Sequence, residues 1–225
     1  MKKENSNVFI FNNSLIHHKM ARLRDKKTSF AKFRKLLKEI TLIMGSEVLK
    51  DLQLMPTSVD TPITRTTAKI ISEDYTPFIV VILRAGDGMK EAMLELLPTM
   101  KVGYIGLRRV EGEGKAGKSG KREKVVIEEY LNKLPKDAKE RDVIILDPML
   151  ASGTSASHAI TLLKNAGVEN IKFMSIISCT AGLRKVTKDH PDVKFYTAAN
   201  DKVLLGNNYI SPGLGDAGDR LYGTT

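Results

Sequence analysis

A single carboxylate, Asp147, ends an apolar run and is followed within a few residues by hydroxyls and a glycine. The stretch reads DVIILDPMLASGTSASHAI over residues 142–160. The run Val143–Leu146 is typical of a buried strand, and the Ala- and Leu-rich segment after Ser155 is typical of a helix. A turn of this kind predicts a phosphate site, because helix N-termini bind anions and glycine allows close approach. The carboxylate could hold sugar hydroxyls, although the same spacing fits a well-capped turn without a ligand.

Two further stretches are candidate binding segments. Arg84 follows the apolar run FIVVIL, where a guanidinium can pair with pyrophosphate oxygens, although such an arginine is more often an ordinary surface residue. Near the C-terminus, YISPGLGDAGDR holds Gly213, Gly215 and Gly218. These glycines would let a flat ligand approach the backbone, and they also fit a C-terminal loop that binds nothing.

The segment GEGKAGKS, residues 112–119, matches the phosphate-binding pattern G-x-x-x-x-G-K-[ST]. That pattern requires a buried strand directly before the loop and a helix that begins at the Lys-Ser pair. Here Arg108–Glu111 separate the apolar run KVGYIGL from the loop, and Gly120 weakens a helix that would begin at Ser119. The residues therefore argue against a nucleotide-hydrolysing site.

Composition limits the class of protein. The 225 residues are 42% hydrophobic and 28% charged, which is typical of a globular chain with its own core. The single Cys179 excludes an intramolecular disulfide. The N-terminal apolar run is too short for a signal peptide, and no stretch approaches the roughly 20 apolar residues of a membrane span. We expect a soluble, cytoplasmic protein with no membrane partner.

Hydrophobic periodicity predicts the elements that position these segments. Apolar residues three and four apart predict a helix over residues 29–52, capped by Thr28 or Ser29. The Thr-rich stretch after it predicts an extended hairpin or arm. From residue 77 onward, predicted strands alternate with the predicted helices MKEAMLELL, ASHAITLLKNAG and LRKVTKDH. The strands are FIVVIL (78–83), KVGYIGL (101–107), DVIIL (142–146), IKFMSIIS (171–178) and VKFYTAA (193–199).

Continuous apolar strands that alternate with helices predict an α/β fold. The sheet should be twisted and mostly parallel, with helices on both faces and an extended arm beside it. Such sheets bind ligands beyond the carboxyl ends of their strands. Arg84 and Asp147 are both predicted to lie there.

These motifs, and their order along the chain, resemble those of the type I phosphoribosyltransferase family. The resemblance is to the form found in uracil phosphoribosyltransferases. DPMLASGTS is similar to the loop that binds phosphoribosyl pyrophosphate (PRPP). LIHHKMARLRDKKTSFAKFRKLLKEIT, ILRAGDGM, KVGYIGL and YISPGLGDAGDRLYGT also match, so the resemblance covers nearly the whole chain. It implies one domain over 1–225, with a helical segment and arm in 1–76 and a sheet core in 77–225. A flexible loop is expected at 108–130.

The resemblance also implies a reaction and the residues that carry it. The 5-phosphoribosyl group of PRPP passes to N1 of uracil, which gives UMP and diphosphate in pyrimidine salvage. Asp147 and Asp216 are the implied catalytic residues. The implied PRPP-binding residues are Arg84, Arg109, Asp147, Pro148, Met149, Leu150, Ala151, Ser152, Gly153, Thr154, Ser155 and Asp216. The residues implied to contact uracil are Ile210, Gly215, Asp216 and Ala217.

Further expectations concern cofactors and partners. The resemblance implies Mg²⁺ bound mainly through PRPP, and no residue of the chain is predicted as a dedicated metal ligand. Some relatives are activated by GTP, so GTP is a candidate activator. The family also implies a homodimer or a larger homo-oligomer.

The chain departs from the family pattern at two places. Asp87 stands where Leu is common in RAGLGM, and Arg108 stands where a Tyr usually precedes the arginine. A long Gly- and Lys-rich insert, residues 111–124, follows. We expect this insert to be mobile and to close over bound PRPP as a lid. The alternative is a solvated arm that touches no substrate.

The net charge of +10 leaves a second functional class open. Basic proteins often bind phosphorylated metabolites or nucleic acid. An RNA-binding regulator on the same fold, which senses nucleotides, is therefore the alternative to the enzyme. The chain has both the PRPP and the uracil motifs and lacks an RNA-binding signature with interleaved aromatic residues, so nucleic acid is not the expected partner.

Overall fold

The computed structural model of the chain describes residues 2–5, 7–111, 125–206 and 208–224. Within these residues the α-helices are α1 (Ser14–Arg24), α2 (Phe30–Val48), α3 (Asp87–Leu96), α4 (Thr154–Asn165), α5 (Thr180–Asp189) and α6 (Ala217–Tyr222). The strands are β1 (Lys2–Asn5), β2 (Val8–Ile10), β3 (Leu54–Asp60), β4 (Arg65–Ile71), β5 (Phe78–Leu83), β6 (Val102–Glu111), β7 (Val125–Lys133), β8 (Val143–Leu146), β9 (Met149–Leu150), β10 (Ile171–Cys179), β11 (Lys194–Asp201), β12 (Val203–Leu204) and β13 (Ile210–Ser211). No helix in this part of the chain is both long and apolar enough to cross a membrane.

One sheet holds most of the strands, in the spatial order β1-β2-β11-β10-β8-β5-β6-β7, with β9 beside β10. From β2 to β6 every neighbouring pair along this order is parallel. The outer pairs β1–β2 and β6–β7 are antiparallel. The chain moves outward in one direction from β5 to β6, and in the other direction from β8 through β10 to β11. β5 and β8 therefore flank the point at which the strand order reverses, where such sheets bind ligands.

Different helices cover the two faces of the sheet, because successive side chains of a strand point to opposite faces. In β8, Ile144 and Leu146 pack in a core shared with α1, α2, α3 and α6. Val143 and Ile145 pack with α4 and α5 on the other face. All four side chains are buried, which explains why the strand is continuously apolar. The predicted fold class, a mostly parallel sheet with helices on both faces, is confirmed.

The long N-terminal helix forms where the periodicity predicts it. The Ser29 side chain caps α2 by accepting from the N–H of Lys32 at 3.4 Å, and the helix ends at Val48 rather than at residue 52. Helix α1 and the strands β1, β2 and β7 are absent from the sequence-based prediction. Strands β1 and β2, with four and three residues at one edge of the sheet, give a weak periodic signal and gain their stability from the strands that they join.

The predicted arm is a two-stranded antiparallel hairpin, β3–β4. Its pairing runs from Leu54 opposite Ile71 to Asp60 opposite Arg65. Within the described residues the hairpin forms its own sheet, separate from the central one. Its exposed large apolar side chains are Leu54, Met55, Val59, Ile63 and Ile70. The arm therefore leaves apolar surface uncovered in the single chain.

The β6–β7 hairpin occupies both ends of the predicted flexible loop, 108–130. β6 continues to Glu111, and β7 begins at Val125. Backbone pairing connects these ends, with Arg109 opposite Ile127. The predicted loop boundaries are therefore too wide, because the antiparallel ladder extends past the run KVGYIGL.

Residues 112–124 lie outside the described residues. They hold most of the predicted lid and the whole segment GEGKAGKS (112–119), which is called the P-loop-like segment below. The strand β6 nevertheless reaches Glu111, directly before Gly112. The expectation that Arg108–Glu111 separate that strand from the P-loop-like segment is therefore wrong. The argument from Gly120 against a helix there stays a prediction.

Candidate active site

A cleft of about 420 Å³ opens at the carboxyl ends of β5 and β8, where the strand order reverses. Its lining residues come from the end of β5, the β8–α4 connection, β6 and the C-terminal segment. They are Ile82, Leu83, Arg84, Ala85, Leu107, Asp147, Met149, Ala151, Ser155, Asn208, Tyr209, Asp216, Ala217 and Gly218. The fold thus brings three motifs that are distant in the sequence into one cavity.

Asp147 lies directly beyond β8, where the chain turns toward α4. Its N–H donates to the carbonyl of Met174 in the neighbouring strand β10 at 3.2 Å. Its Oδ1 accepts from the N–H of Met149 at 3.2 Å. These bonds fix both the main chain and the carboxylate of a residue that lines the cleft.

Only part of the predicted phosphate loop lines the cleft. Asp147, Met149, Ala151 and Ser155 do so. Pro148 and Leu150 serve the fold instead. The Pro148 carbonyl accepts from two N–H groups of β10, at 3.1 and 3.0 Å, and Leu150 is buried in the core beneath α4 and α5.

Helix α4 begins with a left-handed glycine. Gly153, with a φ of 79°, is the N-cap residue, so its own position supplies no side chain to cap the first N–H groups of the helix. The hydroxyls of Ser152 and Thr154 lie 3.1 Å apart on either side of it. These three residues are not among those that line the cleft, but Ser155, in the first turn of the helix, is. An N-terminus of this kind suits a phosphate group, because its N–H groups need acceptors.

Helix α5 supports this loop through Gly182, a residue that the sequence reasoning missed. A Cβ at Gly182 would lie 2.2 Å from the carbonyl oxygen of Ala151. A Cβ at Gly153 would lie 2.9 Å from the carbonyl oxygen of Gly182. Such contacts leave room only for glycine. The sequence signal was a glycine directly before the predicted helix LRKVTKDH, which is also typical of an ordinary helix start.

Arg84 directly follows β5, and its side chain is 59% exposed at the cleft. Its carbonyl oxygen accepts from the Tyr222 hydroxyl at 3.2 Å. Burial, and then the charge of Asp87, raises the pKa of Tyr222, so its hydroxyl keeps the donated proton at neutral pH. Asp87 itself pairs with Lys90 at 3.0 Å. The departure from the family at Asp87 therefore leaves Arg84 at the cleft.

The side chain of Arg109 is outside what the structure describes, and only its backbone is placed, in β6. Leu107, two residues earlier, lines the cleft. Arg108 instead forms two hydrogen bonds with Glu128 of β7, at 2.8 and 2.7 Å.

The C-terminal segment brings two of the four predicted uracil contacts to the cleft. Asp216 and Ala217 line it. The Oδ1 of Asp216 also caps α6 by accepting from the N–H of Asp219 at 3.0 Å. Gly215, with a left-handed φ of 79°, and Ile210, which is buried in β13, are not among the lining residues.

Several lining residues were not predicted, and Leu107, Asn208 and Tyr209 stand out among them. The available signal for Tyr209 was an aromatic residue at the start of the motif YISPGLGD. Leu107 and Asn208 are ordinary in type, so only the folded chain shows their place. No group of three or more His, Cys, Asp or Glu side chains in the described ranges is arranged to hold a metal ion.

A model of the family "Uracil phosphoribosyltransferase" matches residues 10–224. This chain belongs to the uracil phosphoribosyltransferase family. The resemblance drawn from the motifs is thus confirmed. The uracil phosphoribosyltransferase of Clostridium kluyveri is 48% identical over 219 residues, which cover 97% of this chain and 99% of that protein. That of Staphylococcus carnosus is 45% identical over 217 residues, which cover 96% and 98%.

Solved structures agree with this placement. The AQ2163 protein of Aquifex aeolicus has a TM-score of 0.86 at 32% identity, with 97% of this chain and 99% of that one covered. An adenine phosphoribosyltransferase of Trypanosoma brucei has a TM-score of 0.58 at 14% identity, with 96% and 90% covered, and shows the shared fold alone. None of these findings favours the RNA-binding regulator.

Proposed function

We propose that this chain transfers the 5-phosphoribosyl group from PRPP to N1 of uracil, which gives UMP and diphosphate. The observation that carries the proposal is a shared cleft, lined by Asp147 and Ser155, by Arg84, and by Asp216 with its neighbours. Each of these three groups suits a different part of the two substrates. The family bears the name of this reaction, and the enzyme is a pentosyltransferase of pyrimidine salvage.

The phosphoribosyl group fits the loop between β8 and α4. The N–H groups at the start of α4, with the hydroxyls of Ser152, Thr154 and Ser155, suit the 5-phosphate. The Asp147 carboxylate would accept hydrogen bonds from the ribose hydroxyls. Pro148 and Leu150 contribute by attaching the loop to β10 and the core, since neither side chain reaches the cleft.

The pyrophosphate fits the side of the cleft formed by β5 and β6. Arg84 lines it, and the backbone of Arg109 lies two residues beyond the lining residue Leu107 in β6. Guanidinium groups bind phosphate oxygens through two parallel hydrogen bonds. Arg84, and Arg109 by the resemblance, would therefore stabilise the negative charge that develops on the leaving group.

Uracil fits beside Asp216 and Ala217. Its O2, N3 and O4 present an acceptor, a donor and an acceptor, which backbone groups can complement if side chains stay away. Gly215 and Ile210 lie in the turn that precedes these residues and would set the position of its backbone. An N–H that faces O4 disfavours cytosine, because cytosine has a 4-amino donor at that position.

The chemistry breaks the bond between the anomeric carbon and the pyrophosphate oxygen, and forms a bond from uracil N1 to the opposite face of that carbon. The N1–H bond of uracil breaks as well, and its proton leaves to solvent or to the released diphosphate. The transition state resembles an oxocarbenium ion. Positioning of the two substrates and stabilisation of the departing charge would supply most of the rate enhancement. Among the described residues that line the cleft, Asp147 and Asp216 are the acidic ones, and one oxygen of Asp216 also caps α6.

Mg²⁺ fits this cleft as an ion carried on PRPP. Two lining carboxylates, Asp147 and Asp216, face the cleft, but the described residues contain no cluster of metal ligands. PRPP oxygens would hold the ion, and the two carboxylates would lie beside it in the cleft. When bound, Mg²⁺ would neutralise part of the pyrophosphate charge.

The domain organisation and the oligomer are also proposals. One domain spans 1–225, with the helices and arm in 1–76 and the sheet core in 77–225. The arm β3–β4 exposes Ile63 at its turn, 94% accessible, together with four other large apolar side chains. Apolar surface of this kind suits a second copy of the chain, so we expect a homodimer or larger assembly. A GTP activator and a cytoplasmic location stay predictions from the resemblance.

The test is a steady-state assay of the purified protein with PRPP and Mg²⁺. Uracil, cytosine, orotate and hypoxanthine are offered in turn, and nucleotide formation is measured by chromatography. We expect UMP from uracil and about 10²-fold less product from the other bases. Absence of UMP formation, together with salt-sensitive RNA binding, would favour the regulator instead.

A further inference from the structure

An ion pair holds the turn between Ile210 and Gly215 from outside the cleft. Arg24, at the end of α1, places Nη1 and Nη2 at 2.6 and 2.8 Å from the two carboxylate oxygens of Asp201. Asp201 ends β11 and is buried. Neither member of the pair is among the residues that line the cleft.

The same pair binds both backbone groups of Gly213. The Gly213 N–H donates to Oδ2 of Asp201 at 2.8 Å, and Nη1 of Arg24 donates to the Gly213 carbonyl at 2.7 Å. Gly213 has a left-handed φ of 62°, and a Cβ there would lie 2.0 Å from the carbonyl oxygen of Ile210. The turn is therefore tight at this position, and the ion pair occupies its N–H and its C=O together.

A second arginine holds the next peptide. Nη1 of Arg220 donates to the carbonyl of Leu214 and to that of Leu23 in α1, at 2.7 Å in each case. Its guanidinium lies 4.5 Å from the centre of the Phe33 ring in α2. The carbonyls of Gly213 and Leu214 are thus both bonded to arginines, which ties the turn to the helices α1 and α2.

We propose that Arg24 and Asp201 are positioning residues that set the affinity for the base and the discrimination between uracil and cytosine. The inference rests on the proposed function, since the turn that they hold joins Ile210 to Gly215 and Ala217. Uracil selection needs an N–H facing O4. A turn with loose peptide planes could present a carbonyl there instead, and a carbonyl would accept the amino group of cytosine. Because the ion pair occupies both groups of Gly213, it keeps these planes in one orientation.

Charge strengthens this attachment. Burial alone would raise the pKa of Asp201, but the hydrogen bonds from Arg24 and from the Gly213 N–H outweigh it and hold the pKa below its ordinary value. The carboxylate is therefore ionised at neutral pH. Charge-assisted hydrogen bonds are shorter and stronger than neutral ones, and the flat guanidinium fork matches both oxygens. Neither an amide nor a lysine reproduces that geometry.

A purely structural role for the ion pair would change stability without changing substrate preference. The experiment therefore measures KM for uracil, KM for PRPP, kcat, the ratio of kcat/KM for uracil to that for cytosine, and thermal stability. The variants are Asp201→Asn, and Arg24→Lys as the milder change if Asp201→Asn does not fold. The matched control is the ion pair of Lys19 and Glu39, at 2.6 Å and partly buried, which joins α1 to α2 away from the turn. Its variant is Glu39→Gln.

We expect Asp201→Asn and Arg24→Lys to raise the uracil KM by about tenfold or more, since small misplacement of a binding group has effects of this size. The PRPP KM should change by less than about twofold, and the preference for uracil over cytosine should fall. Glu39→Gln should lower the melting temperature and leave both KM values unchanged.

Unchanged uracil KM and unchanged base preference in the folded ion-pair variants would overturn the inference. Equal increases in the two KM values would overturn it as well. Gly215→Val reports separately on the base site, because its bulk and its strained backbone should raise the uracil KM. If Gly215→Val has no effect, the proposed base site is wrong. If Gly215→Val acts and the ion-pair variants do not, only the positioning role fails.

Discussion

Nη2 of Arg84 lies 3.3 Å from Oδ1 of Asp219, so the arginine that is proposed to bind pyrophosphate has an acidic neighbour in the protein itself. Asp219 is held in place from two sides. Its Oδ1 accepts from the Thr224 hydroxyl at 2.7 Å, and its N–H donates to Asp216. A bound pyrophosphate would therefore compete with a fixed carboxylate for the Arg84 guanidinium.

Replacing Asp219 by Asn should tighten the binding of PRPP. The amide keeps an oxygen for Thr224 and Arg84, but it removes the negative charge that repels the pyrophosphate. An exposed pair of this kind contributes little, so we expect the PRPP KM to fall by only about two- to fivefold, and most clearly at low salt. Asp192→Asn, which removes an acid two residues before β11, at the amino ends of the parallel strands, is the control. A PRPP KM that stays constant or rises in Asp219→Asn would show that the carboxylate positions Arg84 instead.

Replacing Asp147 by Asn should weaken the use of PRPP strongly while the fold survives. Asp147 lies beyond the end of β8, and its side chain is not part of the core, so the substitution should leave the fold intact. The ribose hydroxyls, however, would lose a charged hydrogen-bond acceptor. We expect kcat/KM for PRPP to fall by about 10²-fold, with little change in melting temperature. Asp142→Asn, at the other end of the same strand, should leave activity unchanged. Full activity in Asp147→Asn would remove this residue from the site.

Replacing Gly182 by Ala should displace the loop between β8 and α4, which packs against α5 at this glycine. The new Cβ would lie 2.2 Å from the Ala151 carbonyl, so either α5 or the loop has to move. We expect a loss of about 1–3 kcal/mol in the free energy of unfolding, measured in urea. The PRPP KM should rise more than the uracil KM. Gly206→Ala is the control, because a Cβ there meets no atom of the described residues within 4 Å. Equal activity of the two variants would contradict the supporting role of Gly182.

Stability should fall in mild acid because of His190. Burial, and next the charge of Lys164, lowers the pKa of this imidazole below 6.5, and its Nε2 lies 2.9 Å from the Ser157 hydroxyl. The unfolded chain therefore binds the proton more readily than the folded chain does. The stabilisation is complete above the unfolded pKa and is lost as the pH falls below about 6.5 toward the folded value.

His190→Gln should reduce this pH dependence. The measurement compares the free energy of unfolding at about pH 7.5 and about pH 5.5. We expect the loss on acidification to be smaller in His190→Gln than in the parent protein. His17→Gln, which changes an exposed histidine, should behave like the parent. Identical pH dependence in all three proteins would exclude His190 as the source.

The prediction of the sheet core succeeds because β5, β8 and β10 are buried on both faces, and burial on both faces requires continuous apolar runs. The sequence-based prediction misses strands toward the two edges of the sheet. Strand β2 has only three residues, and it is stabilised by its neighbours in the sheet, β1 on one side and β11 on the other. Strand β7 continues the antiparallel ladder beyond the predicted end of β6, and nothing in its local pattern marks it as the partner of that strand.

The candidate site likewise contains residues that the sequence predicts and residues that only the folded chain shows. Asp147 with its following loop, Arg84, and the segment around Asp216 are recognisable because each is a short contiguous motif. The fold alone shows that Leu107 and Tyr209 complete the cleft, and that Pro148 and Leu150 turn away from it. Alternation along the short strand β9 places the Leu150 side chain in the core and the Met149 side chain at the cleft.

By itself, the sequence determined the α/β class, the strands at the centre of the sheet and the local motifs, since each depends on neighbouring residues and their periodicity. The tertiary structure decided which distant residues meet. Arg24 and Asp201 are separated by 177 residues, and Arg24 and Gly213 by 189. Their hydrogen bonds form only because α1 packs over the end of β11. Such contacts leave no local signal, because their geometry depends on how the helices and the sheet pack together.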